Sequence, residues 1–167
     1  MPPADSSPYP LSHYDGQFCL KPPMMMWLAI LYLSRGVTLP LIIALGQFSG
    51  VDSRAADTVR ELWSADELAP SAIAALVLYA LWRRVPSASR GVRWIWSNGR
   101  VVLAVAAIVD LGMLLIGMGR IGEPTDQSIG LAAAGIVDAY FLAYVLAARR
   151  IRDTFAEFPT PLEITRR

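Results

Sequence analysis

Cysteine and histidine occur once each in this sequence, as Cys19 and His13. One cysteine excludes an internal disulfide and leaves no cysteine pair from which to build a metal site. One histidine removes histidine clusters as well, so no metal and no cofactor is expected. Charge is scarce too: Asp, Glu, Lys and Arg make up 17% of the 167 residues, against about 25% in an ordinary soluble domain. At the N-terminus no basic run leads into a short apolar core, and no small-residue cleavage site suits one. A removable signal peptide is therefore not expected. What fills the chain instead is apolar, with 54% hydrophobic residues and a mean hydropathy of +0.42. That balance points to a membrane protein forming one compact unit of three to five helices, without a large soluble domain.

The apolar stretches divide the chain into a tail (residues 1–22), a transmembrane domain (23–148) and a second tail (149–167). The first stretch, Pro23–Phe48, is long enough to cross a bilayer as a helix. Pro22 and Pro23 suit its first turn, where missing N–H groups matter least. Pro40 is expected to kink it, or to free a carbonyl near Gly36. In Val51–Trp63 the residues Ala55, Ala56, Val59, Leu62 and Trp63 recur at helical spacing. They predict a short amphipathic helix lying on the outer membrane surface. Ser64-Ala65-Asp66-Glu67 matches a capping box ahead of a second apolar helix that runs to Trp82. The third helix spans Val101–Met118 and the fourth about Gln127–Ala148. The fold class expected is thus all-α: a four-transmembrane-helix bundle with one outer interfacial helix. Residues 1–13 read as disordered and 149–167 as a fraying tail.

Arg83–Arg100 is basic with interleaved aromatics, a pattern also found in nucleic-acid binders. Between two apolar helices its tryptophans read as interfacial anchors, Trp94 and Trp96 joining Trp27, Trp63 and Trp82. No nucleic-acid partner is expected; the lipid bilayer is. Gly117–Gly122 fits GxGxxG, but no strand precedes it, so a dinucleotide site fails on context. Eleven of the fifteen basic residues fall in the N-terminal tail, the 83–100 loop and the C-terminal tail. Four helices place these three regions on one side, and the positive-inside rule makes that side cytoplasmic.

Three charges interrupt the apolar stretches near their centres: Arg35, Asp110 and Asp138. A guanidinium at the bilayer centre costs roughly 2.5–3.5 kcal/mol on insertion scales, so a partner is required. Counted along each helix, all three lie roughly 15–18 Å from the same surface. Small residues flank both aspartates, which argues that those faces meet helices rather than lipid. Two carboxyl groups against one guanidinium leave one formal negative charge, so one acid is expected to hold a proton. Such a network either fixes how the helices pack or carries protons or substrate.

The opening residues Tyr14-Asp15, Leu20-Lys21-Pro22-Pro23, Trp27 and Leu31-Tyr32-Leu33-Ser34-Arg35 resemble the start of the YfeZ-like bacterial inner-membrane proteins, a family named only as a domain of unknown function. The resemblance implies a small multi-pass inner-membrane protein and brings no activity. With no HExxH, no Ser/His pair and no metal constellation in the helices, an enzyme is not expected. Two readings follow. The chain is either a non-enzymatic subunit or assembly factor, with a membrane-protein partner or a second copy of itself, or a small proton-coupled transporter or channel.

Overall fold

The computed structural model describes residues 9–48, 67–120 and 126–159, and among them the chain is helical without strands. The expected outer helix of Val51–Trp63, with the anchor Trp63, lies outside the described residues. Among the described residues, seven α-helices follow a short 3-10 turn at Leu11–His13: α1 (Met24–Leu33), α2 (Arg35–Phe48), α3 (Leu68–Trp82), α4 (Arg90–Ser97), α5 (Gly99–Arg120), α6 (Asp126–Ala147) and α7 (Arg149–Ala156).

The first apolar stretch is two helices, not one. Ten apolar residues form α1, whose first turn hangs from the Pro23 carbonyl. The chain then turns by 84° into α2. Ser34 is the pivot: its N–H closes α1 on Ile30, while its carbonyl accepts from Val37 and Thr38 in the first turn of α2. The bend therefore falls six residues ahead of Pro40, which sits inside α2. The correction has a packing cause. Gly36 lies against the start of α3, where an added Cβ would come within 2.7 Å of the Glu67 carbonyl and of Ser71 Oγ. Its N–H, left over at a helix start, donates to Ser71 Oγ at 2.9 Å.

Helix α3 begins at Leu68 and is preceded by Glu67, whose side chain makes no capping bond. Ser64 of the expected capping box is outside the described residues. The basic loop is also more ordered than its composition suggests. Ser89 caps α4 by accepting from Val92 N–H, and Val92 and Trp96 are buried on its inner face. Residues 149–156, expected to fray, form α7 and bury Ile151, Thr154 and Phe155.

Helix α5 is the axis, packed along α6 and α3 and touched by α1, α4 and α7. The core between them is built from Met26, Ile30, Leu33, Val77, Leu103 and Val145. At 22 residues each, α5 and α6 are about 33 Å long. These two are long and apolar enough to cross a membrane, and the bent α1–α2 pair makes a third if counted as one span. Helix α3, expected as a span, is apolar but has 15 residues. Outward faces carry large apolar side chains, among them Ile108, Leu115, Ile116, Ile136 and Tyr140.

Candidate functional site

The bend brings Arg35 to the start of α2, aimed back at the middle of α5. Its Nη1 donates to Asp110 Oδ2 at 2.8 Å, and Nη2 reaches Oδ1 at 3.4 Å. This two-pronged contact is the geometry in which guanidinium and carboxylate interact most strongly. Nη1 also meets the Tyr32 carbonyl at 3.4 Å, and the guanidinium lies over the Tyr32 ring, 4.5 Å from its centre. Asp110 is the twelfth of 22 residues in α5 and Asp138 the thirteenth of 22 in α6. Two packed helices of equal length thus hold their acids near mid-length.

Asp138 is fully buried, and neither of its oxygens has a hydrogen-bond partner among the described residues. Helix α6, which carries it, packs along α5, which carries Asp110. Tyr32 fastens the site from below. Its hydroxyl donates to the Ala134 carbonyl at 3.3 Å, and its ring lies 5.3 Å from that of Phe141, joining α1 to α6.

A fourth charged residue belongs to the cluster. Glu67 Oε2 is 3.8 Å from Arg35 Nε. The sequence pattern assigned Glu67 to a helix cap, so its place here was missed. The available signal was its position, immediately ahead of an apolar run in a chain with so few charges. The side chains of Asp110, Arg35 and Glu67 are 4%, 17% and 28% exposed. Polarity thus runs outward from Asp138 as a graded row. Four elements, α2, the start of α3, α5 and α6, meet at one guanidinium and three carboxyl groups. Such an arrangement can lock helices together and can hold a proton.

A second polar knot closes the end of the bundle where α1 begins. Asp15 Oδ1 accepts from the N–H groups of Gln17 and Cys19, both at 2.9 Å, and sets a tight loop with Phe18 at φ 58°. Tyr14 and Leu20 pair across that loop, and Lys21 N–H returns to the His13 carbonyl. Leu20 is fully buried; its N–H donates to Glu157 Oε2 and its carbonyl accepts from Arg84 Nη1. The Tyr14–Pro23 residues that carried the family resemblance therefore build a loop clamped between α7 and Arg84, ahead of Pro22 and Pro23 at the entry to α1. Cys19 lies buried beside Arg84, where burial pushes the thiol's pKa up and that of the guanidinium down.

The tryptophans separate into two kinds. Trp82 and Trp94 are 82% and 65% exposed, and Trp27 is exposed too. Trp96, expected as an interfacial anchor, is fully buried. Its indole N–H donates to the Glu157 carbonyl at 2.9 Å, Arg84 stacks over its ring at 4.7 Å, and the Phe155 ring lies 4.9 Å away. The correction follows from the helix. On the two-turn α4, Val92 and Trp96 are four residues apart and share the inner face, whereas Trp94 points the other way.

Residues 9–157 match a family described as Protein of unknown function (DUF2919). No curated protein and no solved structure matches the chain.

Proposed function

From a chain that belongs to the DUF2919 family, a family of unknown function, we propose a multi-pass protein of the bacterial inner membrane. In this reading it is not an enzyme. It acts as a subunit or assembly factor, and its buried charges fix the shape that a membrane partner or a second copy recognises. The likeness of its opening residues to the YfeZ-like proteins belongs to the same proposal. One observation carries it: the Arg35–Asp110 pair ties the pivot of the bent α1–α2 segment to α5, while Glu67 and Tyr32 bring in α3 and α6. A guanidinium held by a carboxylate on one side, a carbonyl and an aromatic face on the other is a fastening. The exposed apolar faces of α5 and α6 remain for lipid and partner.

One feature favours the alternative, a proton-coupled carrier. Asp138 has no hydrogen-bond partner among the described residues and heads the graded row that ends at Glu67. Reconstitution separates the two readings. In vesicles loaded with a pH-sensitive dye, the protein is expected to leave an imposed pH gradient intact. Mild detergent extraction from the native membrane is expected to retain a stoichiometric partner or a second copy. Dissipation of the gradient, abolished by Asp138→Asn, would instead establish the carrier.

The proposed topology counts α3 and the α1–α2 pair as spans beside α5 and α6, with both termini in the cytoplasm. Cysteines introduced near Asp57 are then expected to react with an impermeant reagent on intact spheroplasts, and cysteines near Ser89 to stay protected. The reverse pattern, or labelling of both, would reject this topology.

A further inference from the structure

We propose that the junction of α6 and α7 is a binding site for the phosphate group of an anionic phospholipid. A notch of about 190 Å³ opens there, lined by Arg100, Leu146, Ala147, Ala148, Arg149 and Arg152. Arg100, at the start of α5, is held by the last turn of α6: its Nε donates to the Val145 carbonyl at 3.0 Å and Nη2 to that of Leu146. These bonds use two of the five donors of a guanidinium and fix its plane at the notch. Arg149 and Arg152 come from the first turn of α7. Their Nε atoms approach a single carboxylate, Asp153, at 3.9 and 3.6 Å, and Asp153 also accepts from the Tyr9 hydroxyl at 2.8 Å. Arg149 and Arg152 share that one carboxylate while Arg100 is held by carbonyls, so the three guanidinium groups at the notch keep an excess of two positive charges over Asp153. Planar forks of this kind match the tetrahedral oxygens of a phosphate.

Position decides for a lipid over a free anion. The notch lies where the two membrane-length helices end and begin, which is headgroup level if they cross a bilayer; the inference rests on that reading of α5 and α6. Along α5 from Arg100 the exposed residues Val101, Val105 and Ile108 follow at helical spacing. They form an apolar track on which acyl chains lie while the phosphate sits among the arginines. Basic pockets between helices at the membrane surface bind anionic headgroups in this manner.

The test uses the full chain in detergent, titrated with phosphatidylglycerol or phosphatidylcholine, bound lipid being counted by native mass spectrometry. Phosphatidylglycerol is expected to bind preferentially. The exposed pair Arg149→Gln/Arg152→Gln should weaken that binding by on the order of thirtyfold, as two interfacial arginines together would. Arg83→Gln/Arg90→Gln, which removes equal charge elsewhere, should leave it unchanged. An equal loss in that control, or no preference for the anionic lipid, would overturn the proposal. So would saturable binding of inorganic phosphate that depends on Arg149 and Arg152 while phosphatidylglycerol shows no preference, since it assigns the notch to a free anion. Recovery of both variants in the membrane fraction shows that any loss lies in the site. Absence of the unaltered protein from that fraction would reject the membrane reading itself.

Discussion

Arg35→Leu is expected to destabilise the protein by roughly 3–5 kcal/mol, the usual consequence of removing one partner of a buried ion pair. The substitution leaves Asp110 without the two bonds it accepts from the guanidinium, beside a second buried acid. It also removes the stack on Tyr32 and the approach to Glu67. Thermal unfolding in detergent, followed by circular dichroism, reads the loss directly. Replacing Arg35, Asp110 and Asp138 together by apolar residues of similar volume is expected to recover most of it, because well-packed apolar groups can match a buried ion pair. A single variant as stable as the parent would show that the pair contributes nothing to the fold. A triple variant no better than the single one would place the loss in packing rather than in charge.

Trp96→Ala is expected to cost about 3–5 kcal/mol, the range for emptying a buried aromatic site, and Trp94→Ala to stay within about 0.5 kcal/mol, as exposed positions do. The two residues stand two positions apart, on opposite faces of α4, and differ in everything they touch. Trp96 supplies the surface on which Arg84 and Phe155 rest and the N–H that holds Glu157. Glu157 and Arg84 in turn hold Leu20. Emptying the Trp96 site therefore loosens both chain ends together, and limited proteolysis should cut Trp96→Ala near the loop at Gln17 and near Phe158. Equal stability of the two variants would return Trp96 to the role of an interfacial anchor.

These two sites mark what sequence reasoning reaches. The level shared by Arg35, Asp110 and Asp138 was legible because depth in an apolar helix is a count of residues, and burial of a charge demands a partner at the same depth. The position of Glu67 marked it as a charge at an apolar boundary, but its pairing with Arg35 was not legible, since that approach depends on the bend at Ser34. That bend arises from the close packing of Gly36 on Ser71, a contact between residues 35 positions apart. A proline inside a helix is a local signal, and it pointed to Pro40; the stronger tertiary contact placed the turn elsewhere. The two faces of α4 were illegible for a different reason. Read as a loop, Arg83–Arg100 offers no periodicity, and all its tryptophans look alike. Once Ser89 starts a helix, the spacing of Val92 and Trp96 decides which ring goes inside.

Synthesis runs from the N-terminus, and the separation of the charges along the chain then becomes a schedule. Arg35 emerges 75 residues before Asp110. On the proposed topology, the first apolar segment meets the membrane with its guanidinium unmatched, at a penalty of roughly 2.5–3.5 kcal/mol. Glu67, 32 positions further on, is the earliest acid of the cluster to arrive. In the folded chain it makes the looser contact, at 3.8 Å, and Asp110, which is made later, the closer one, at 2.8 Å. Asp138 is made last of the three acids, and the guanidinium of the folded cluster is spent on the two made before it.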